Sequence, residues 1–204
     1  MTKAVMPHFD TKIIFINFDE KYLSMKISLS TLTAENAGRF ISLYELSFPV
    51  DERRLYESPE HFLAFLKSRE GKFCAYEIMD GGSFAGFITS WEFEGYVYVE
   101  HFAVDGSMRG SGIGSEAFSL FLEKAAQKGK PLILEVEMPE DELSRRRIGF
   151  YERLGGKLRT DFEYVQPPYR KDSSPLPMRI MTWGEIELGP DTLRPMLRDV
   201  YGVD

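Results

Sequence analysis

The feature that most limits the fold of this chain is the stretch VDGSMRGSGIGSEAF, residues 104–118, where glycines and an arginine separate an apolar strand from an apolar helix. Glycine is entropically costly in an ordered backbone, so the spacing Arg109-x-x-Gly112-x-Gly114 needs a local reason. Gly110, Gly112 and Gly114 let the chain turn tightly into the helix and leave its first amides accessible. Those amides, with the helix dipole, favour phosphate or pyrophosphate, and Arg109 adds a charged donor at the entrance. A glycine-rich turn with ordinary capping is the architectural alternative. The stretch lacks the Lys-Ser/Thr ending of a nucleotide-triphosphate loop, and its helix does not open a dinucleotide-binding unit, so a different anionic ligand is required.

Hydrophobic periodicity predicts what surrounds this turn. KISLS reads as a short strand. TLTAENAGRFISLYELSF reads as a helix capped by Thr31 or Thr33 and closed by Phe48-Pro49, with Ala37, Phe40, Ile41, Tyr44 and Phe48 on one face. A second helix lies within DERRLYESPEHFLAFLKSRE, broken near Pro59. KFCAYEIM and SFAGFITSWEF form a hairpin about Asp80-Gly81-Gly82, and YVYVEHFAV adds a third consecutive strand, giving an antiparallel meander. After the glycines come the helix GSEAFSLFLEKAAQKG, the strand LILEVEM, the helix DELSRRRIGFYERLGG and two terminal strands, KLRTDFEYVQ and PLPMRIMTW. A short helix in PDTLRPMLRDV ends the chain. Strand, glycine turn, helix and strand make one right-handed crossover.

With 204 residues, 43% of them apolar, the chain buries one substantial core, and 14% aromatic content excludes general disorder. Residues 1–24 read as an N-terminal extension in which TKIIFINF forms an edge strand, 25–184 as the functional domain and 185–204 as a C-terminal segment. The run IIFINF is too short to span a bilayer, and Asp10, Asp19 and Glu20 flank it, unlike a secretory signal. A single cysteine, Cys74, and three scattered histidines point to a reducing cytoplasm and to no metal site. Lysine plus arginine total 25 against 32 acidic residues, which argues against nucleic-acid binding. The triplet Arg145, Arg146 and Arg147 reads as the solvated side of a helix.

The glycine turn resembles the GNAT superfamily, the acyl-coenzyme A dependent N-acyltransferases. The family's arginine or glutamine, two residues, glycine, one residue, glycine or alanine is present as Arg109-Gly110-Ser111-Gly112-Ile113-Gly114, after the strand end Phe102-Ala103-Val104. RIGFYERLGG, residues 147–156, resembles the family's late helix with its tyrosine before a leucine-glycine step. The resemblance implies an α/β (α+β mixed) fold. Its central, mostly antiparallel sheet has about six to seven strands flanked by helices, and two parallel central strands, 96–104 and 132–137, splay apart.

The resemblance further implies acetyl-coenzyme A as acyl donor, with its pyrophosphate on the amides of Arg109, Gly110, Ser111, Gly112, Ile113 and Gly114. Phe102, Val104, Ser144 and Tyr151 complete the coenzyme contacts, the Val104 backbone meeting the acyl carbonyl or the pantetheine. Tyr151 resembles the family's general acid for the departing thiolate. Two departures stand out. Ser144 occupies a position where relatives often carry asparagine, and Gly156 one where an aromatic is common.

Thioester aminolysis also needs a proton acceptor. Side chains alternate along a strand, which places Glu100 with Tyr96, Tyr98 and Phe102, and His101 on the opposite face as a packed histidine. Glu135 and Glu137 share one face of their strand. Carboxylates in central strands are costly unless they face a wet cleft or a partner. Glu100 or Glu137, each near the end of a splayed strand, is the candidate base. Acceptor contacts fall to Phe48, Glu52, Glu135 and Tyr169. The expected acceptor is an amine of a small molecule or peptide, without nucleic-acid or membrane partners and with a homodimer as the family-level expectation. A catalytically inactive acyl-coenzyme A sensor and a protein-interaction domain are the alternatives.

Overall fold

In the computed structural model, which describes residues 26–203, the chain builds one seven-stranded sheet. The extension 1–24 and its expected edge strand lie outside the described residues. Strand β1 (Ile27–Thr31) lies at one edge, antiparallel to β2 (Phe73–Asp80), and β2, β3 (Ser83–Glu92) and β4 (Val97–Val104) form the expected antiparallel meander. Gly81 and Gly82 both adopt positive φ, 56° and 86°, as the tight β2–β3 turn requires. β5 (Leu132–Glu137) runs parallel to β4, and β7 (Leu176–Trp183) follows antiparallel with β6 (Lys157–Gln166) at the edge.

Helices cover both faces because alternate strand residues are apolar on each side. Against one face lie α1 (Ala37–Ser47), α2 (Pro59–Ser68) and α5 (Pro190–Met196), which continues as a π-helical turn, Leu197–Tyr201. Phe40, Phe62, Phe87, Trp91 and Tyr98 meet there, together with Leu193, Met196 and Val200 from the C-terminal segment. The other face carries α3 (Ile113–Gln127) and α4 (Glu142–Arg153), with Phe118, Phe121, Ile148 and Tyr151 over Ile88, Val99 and Leu134. Burying one such phenylalanine contributes about 1.5–3 kcal/mol.

Two expectations are corrected. Helix α1 starts at Ala37, not near Thr31; a turn at 34–36 leads into it, held by the Asn36 amide donating to the Thr33 hydroxyl at 3.3 Å and by Glu77. The Glu77 carboxylate accepts from the Thr33 amide, the Thr33 hydroxyl and Asn36 Nδ2 at 3.2, 3.2 and 2.9 Å. Strand alternation also fails in β4. Thr89 pairs with His101 and Ser90 with Val99, leaving Glu100 as the extra residue of a bulge. Glu100 and His101 therefore share a face. Glu100 contacts Trp91 and Arg54, while His101 packs on Tyr44 and Phe48. Phe102, expected beside Glu100, turns instead to Phe118 and Phe150.

The parallel contact between β4 and β5 is brief. It comprises Val97 with Leu132, Tyr98 with Ile133 and Val99 with Leu134, after which the strands part.

Candidate active site

A cleft of about 970 Å³ fills the opening between the parted strands. The glycine turn forms one part of its wall. Asp105 caps the short 3-10 turn Gly106–Met108 by accepting from the Ser107 amide at 2.8 Å, and the chain then passes through Gly110 (φ 82°) and Gly112 (φ 88°) into α3. Only glycine enters these conformations without strain. A Cβ built on either would meet nothing within 4 Å, so the surface above the turn is open to a ligand. Gly112 is the residue that caps α3, and its lack of a side chain leaves the first-turn amides free for an anion.

Charge of one sign gathers around that turn. Arg109, which donates from Nε to the Val104 carbonyl at 3.2 Å, lines the cleft together with Arg146, Arg147 and Arg153 of α4. The arginine triplet is thus divided. Arg145 bonds the carbonyls of Pro139 and Glu140 outside, whereas Arg146 and Arg147 face the cleft.

Carboxylates occupy the other part of the wall. Glu100 is buried, with 1% of its side chain exposed, and accepts from Arg54 Nε at 3.1 Å, Trp91 Nε1 at 2.9 Å and the Tyr169 hydroxyl at 3.2 Å. Glu135 accepts from the Tyr201 hydroxyl at 2.7 Å, Gln166 Nε2 at 2.8 Å and the Tyr164 hydroxyl. Burial pushes the Glu135 carboxyl up to about 7. The hydroxyls of Tyr164, Tyr201 and Tyr98 oppose that rise and the Glu100 charge adds to it. Glu137 pairs with Arg147, and burial, reinforced by the Glu137 charge, raises the carboxyl of Glu52. His101 is buried, its Nε2 lies 3.2 Å from the Glu52 carbonyl oxygen, and burial lowers its pKa so that the ring is neutral.

Tyr151 lines the same cleft from α4, packed against Phe118, Phe150 and Trp183. Burial raises its phenol, which stays protonated. Phe48, Glu52, Phe102, Val104, Gly114 and Tyr169 join it on the lining, whereas Ser111, Ile113 and Ser144 do not. Ser111 is exposed and donates to the Met108 carbonyl; Ile113 is buried in the core. Ser144 completes a capping box with Asp141, accepting from the Asp141 amide and giving its own amide to Asp141 Oδ1. A short serine at this position serves the helix end instead of reaching the cleft.

Several contributors escape a reading of the sequence. Arg54 holds Glu100 and also donates to the Val200 carbonyl, tying the α1–α2 loop, β4 and the C-terminal turn together. Tyr201, in the segment beyond the expected domain, reaches Glu135 and, at 3.0 Å, the Tyr98 hydroxyl. Gly156 leaves room for Trp183 of β7, so an aromatic ring stands there after all, supplied from another strand.

Comparison with known proteins agrees with this architecture. A model described as the acetyltransferase (GNAT) family matches residues 38–156. Among solved structures, a GNAT-family chain from Bacteroides thetaiotaomicron is 33% identical with a TM-score of 0.75, covering 87% of this chain and 99% of its own. Ard1 from Thermoplasma volcanium is 22% identical with a TM-score of 0.56, covering 80% and 100%. The acetyltransferase yncA from Salmonella typhimurium, solved with acetyl-CoA, is 16% identical with a TM-score of 0.59, covering 82% and 99%. No curated protein matches the sequence. The parted strands, the glycine turn and the family match lead to one conclusion: the chain belongs to the GNAT family of acetyltransferases.

Proposed function

We propose that the protein transfers an acetyl group from acetyl-coenzyme A to a primary amine. The observation that carries this reading is the meeting, in one cleft, of an open glycine turn with arginines and a buried set of acid and base groups. The residues fit the coenzyme. Amides at the start of α3 and the guanidinium groups of Arg109, Arg146 and Arg153 suit its phosphates, and the parted edges of β4 and β5 offer backbone groups to its amide-bearing arm. When bound, the coenzyme supplies an acyl group activated as a thioester.

The chain supplies the rest. Tyr151, protonated and buried, donates to the departing sulfur. A carboxylate of the cleft accepts the proton of the amine. Phe48, Glu52, His101 and Tyr169 wall the acceptor, and exclusion of water strengthens each polar contact.

Calorimetric titration with acetyl-coenzyme A tests the reading, with desulfo-coenzyme A and the Gly112→Glu variant as comparisons. Saturable binding that the variant loses, followed by thiol release with an amine panel, is the expected result. Binding without turnover on any amine would favour the acyl-coenzyme A sensor, and a folded protein that binds no coenzyme would favour an interaction domain.

A further inference from the structure

Val99 and Leu134 are the last paired residues of the parallel strands, and the next residue on each strand is a glutamate, Glu100 or Glu135. The two carboxylates stand where the cleft opens, on one face, but their partners differ. Glu100 has the Arg54 guanidinium. Glu135 has only neutral donors, Tyr164, Tyr201 and Gln166, with no cation among the described residues. Two carboxylates and one guanidinium leave this desolvated site one negative charge, and the cation lies on the Glu100 side. Such an asymmetry assigns different roles to two like groups.

We propose that Glu135 seats the ammonium of the acceptor and takes its proton, while Glu100, held by Arg54, is a positioning residue. This assignment rests on the acetyl-transfer reading above. It moves the base from Glu100 or Glu137 to a residue expected only to contact substrate. Glu137 already has the cation Arg147.

The groups facing Glu135 are consistent with this role. Tyr98 and Glu100 face it from β4, Tyr164 and Gln166 from β6, Tyr169 from the β6–β7 loop and Tyr201 from the C-terminal turn. The tyrosines are all raised by burial and uncharged, so Glu100 is the one acidic neighbour among them. A carboxyl pushed up to about 7 is better matched to an ammonium than an ordinary one.

The step balances. The ammonium gives one proton to the Glu135 carboxylate, and the neutral amine forms the new C–N bond as the C–S bond breaks. The sulfur takes the Tyr151 proton, the tyrosine is restored by the second proton of the nitrogen, and Glu135 releases its proton to solvent. One proton leaves with the amide and the thiol.

Carbon-detected NMR of protein labelled at glutamate, with resonances assigned through Glu135→Gln and Glu100→Gln, tests this without an acceptor. Glu135 is expected to titrate near neutrality in the wild type, and Glu100→Gln to move that midpoint to lower pH by removing a like charge. In kinetics with an amine acceptor, Glu135→Gln lowers kcat/KM about 100-fold or more and flattens the acidic limb of the pH profile. Glu100→Gln keeps measurable turnover with the limb shifted downward, so the test survives if Glu135→Gln folds poorly. An unmoved midpoint in Glu100→Gln, or an acidic limb retained by folded Glu135→Gln, overturns the assignment alone. Wild-type protein that binds no acetyl-coenzyme A overturns the reading beneath it.

Discussion

A Cβ placed on Gly156 would stand 2.6 Å from Cζ2 of Trp183, so the glycine that leads into β6 and the last residue of β7 are fitted to each other. The same Cβ would lie 2.9 Å from the Tyr151 carbonyl oxygen. Trp183 in turn donates from Nε1 to the Leu154 carbonyl at 2.9 Å and packs edge-on to Tyr151 with ring centroids 5.8 Å apart. Gly156→Ala must therefore displace the indole and disturb the support of Tyr151. Chemical denaturation is expected to show a loss of about 1–3 kcal/mol. An unchanged midpoint would mean that the indole moves freely, contrary to this packing.

Gly112 and Gly38 make a contrasting pair, since a Cβ meets nothing within 4 Å at either. Gly112 has φ 88°, whereas Gly38 lies inside α1 with ordinary helical geometry. Gly112→Ala is expected to cost about 1–3 kcal/mol through backbone strain and to weaken acetyl-coenzyme A binding. Gly38→Ala should gain about 0.5–1 kcal/mol and leave binding alone. Paired melting and calorimetry check both signs.

Tyr151→Phe retains the ring packing on Phe118 and Trp183 and removes only the proton. Turnover is expected to fall about 100-fold while the affinity for acetyl-coenzyme A changes little. Acetyl transfer by the variant at the wild-type rate would remove Tyr151 from the acid role.

Glu135 also links stability to pH. Its carboxyl is raised from 4.5 to about 7 on folding, so the folded chain holds the proton more tightly than the unfolded one. The stabilisation is fully present below pH 4.5 and is lost as pH rises through about 7. Wild-type protein should lose on the order of 3 kcal/mol across that window relative to Glu135→Gln. Parallel denaturant curves for the two proteins at both ends of the window would contradict this.

Acceptor choice follows from the same charges. A carboxylate beside the amine would approach Glu100 and Glu135 with Arg54 already engaged by Glu100 and the Val200 carbonyl. Simple alkylamines and diamines are expected to exceed α-amino acids in kcat/KM by about tenfold or more, the worth of one unfavourable polar contact. A thiol-release assay across such a panel decides it, and preference for free amino acids would count against the charge argument.

Much of the fold was legible because each element carries its own signal. The hairpin glycines at 81 and 82, the crossover around residues 104–137 and the late helix lie where periodicity places them. The site was legible by position and less so by role. Glu100, Glu135 and Tyr151 all line the cleft, but the opposite faces expected for Glu100 and His101 were wrong, because strand alternation is interrupted by a bulge. Ser144 was read as a coenzyme contact, yet a local capping bond with Asp141 holds it. Arg54 gave no signal beyond lying in a charged loop, since its partners are 46 and 146 residues away.

The sequence by itself determined the glycine turn and the helix it opens. Positive φ at Gly110 and Gly112 is a property of those residues, and a helix start needs only its own first turn. Tertiary structure alone decided the chemistry of the carboxylates. The bulge at Glu100 is a matter of register between β3 and β4, fixed in part by Gly86, where an added Cβ would lie 2.3 Å from the Ala103 carbonyl oxygen. Desolvation of Glu135 needs β4, β6 and the C-terminal turn closed around it at once. Local backbone preference is written in neighbouring residues, whereas strand register and the burial of a charge arise only when distant segments meet.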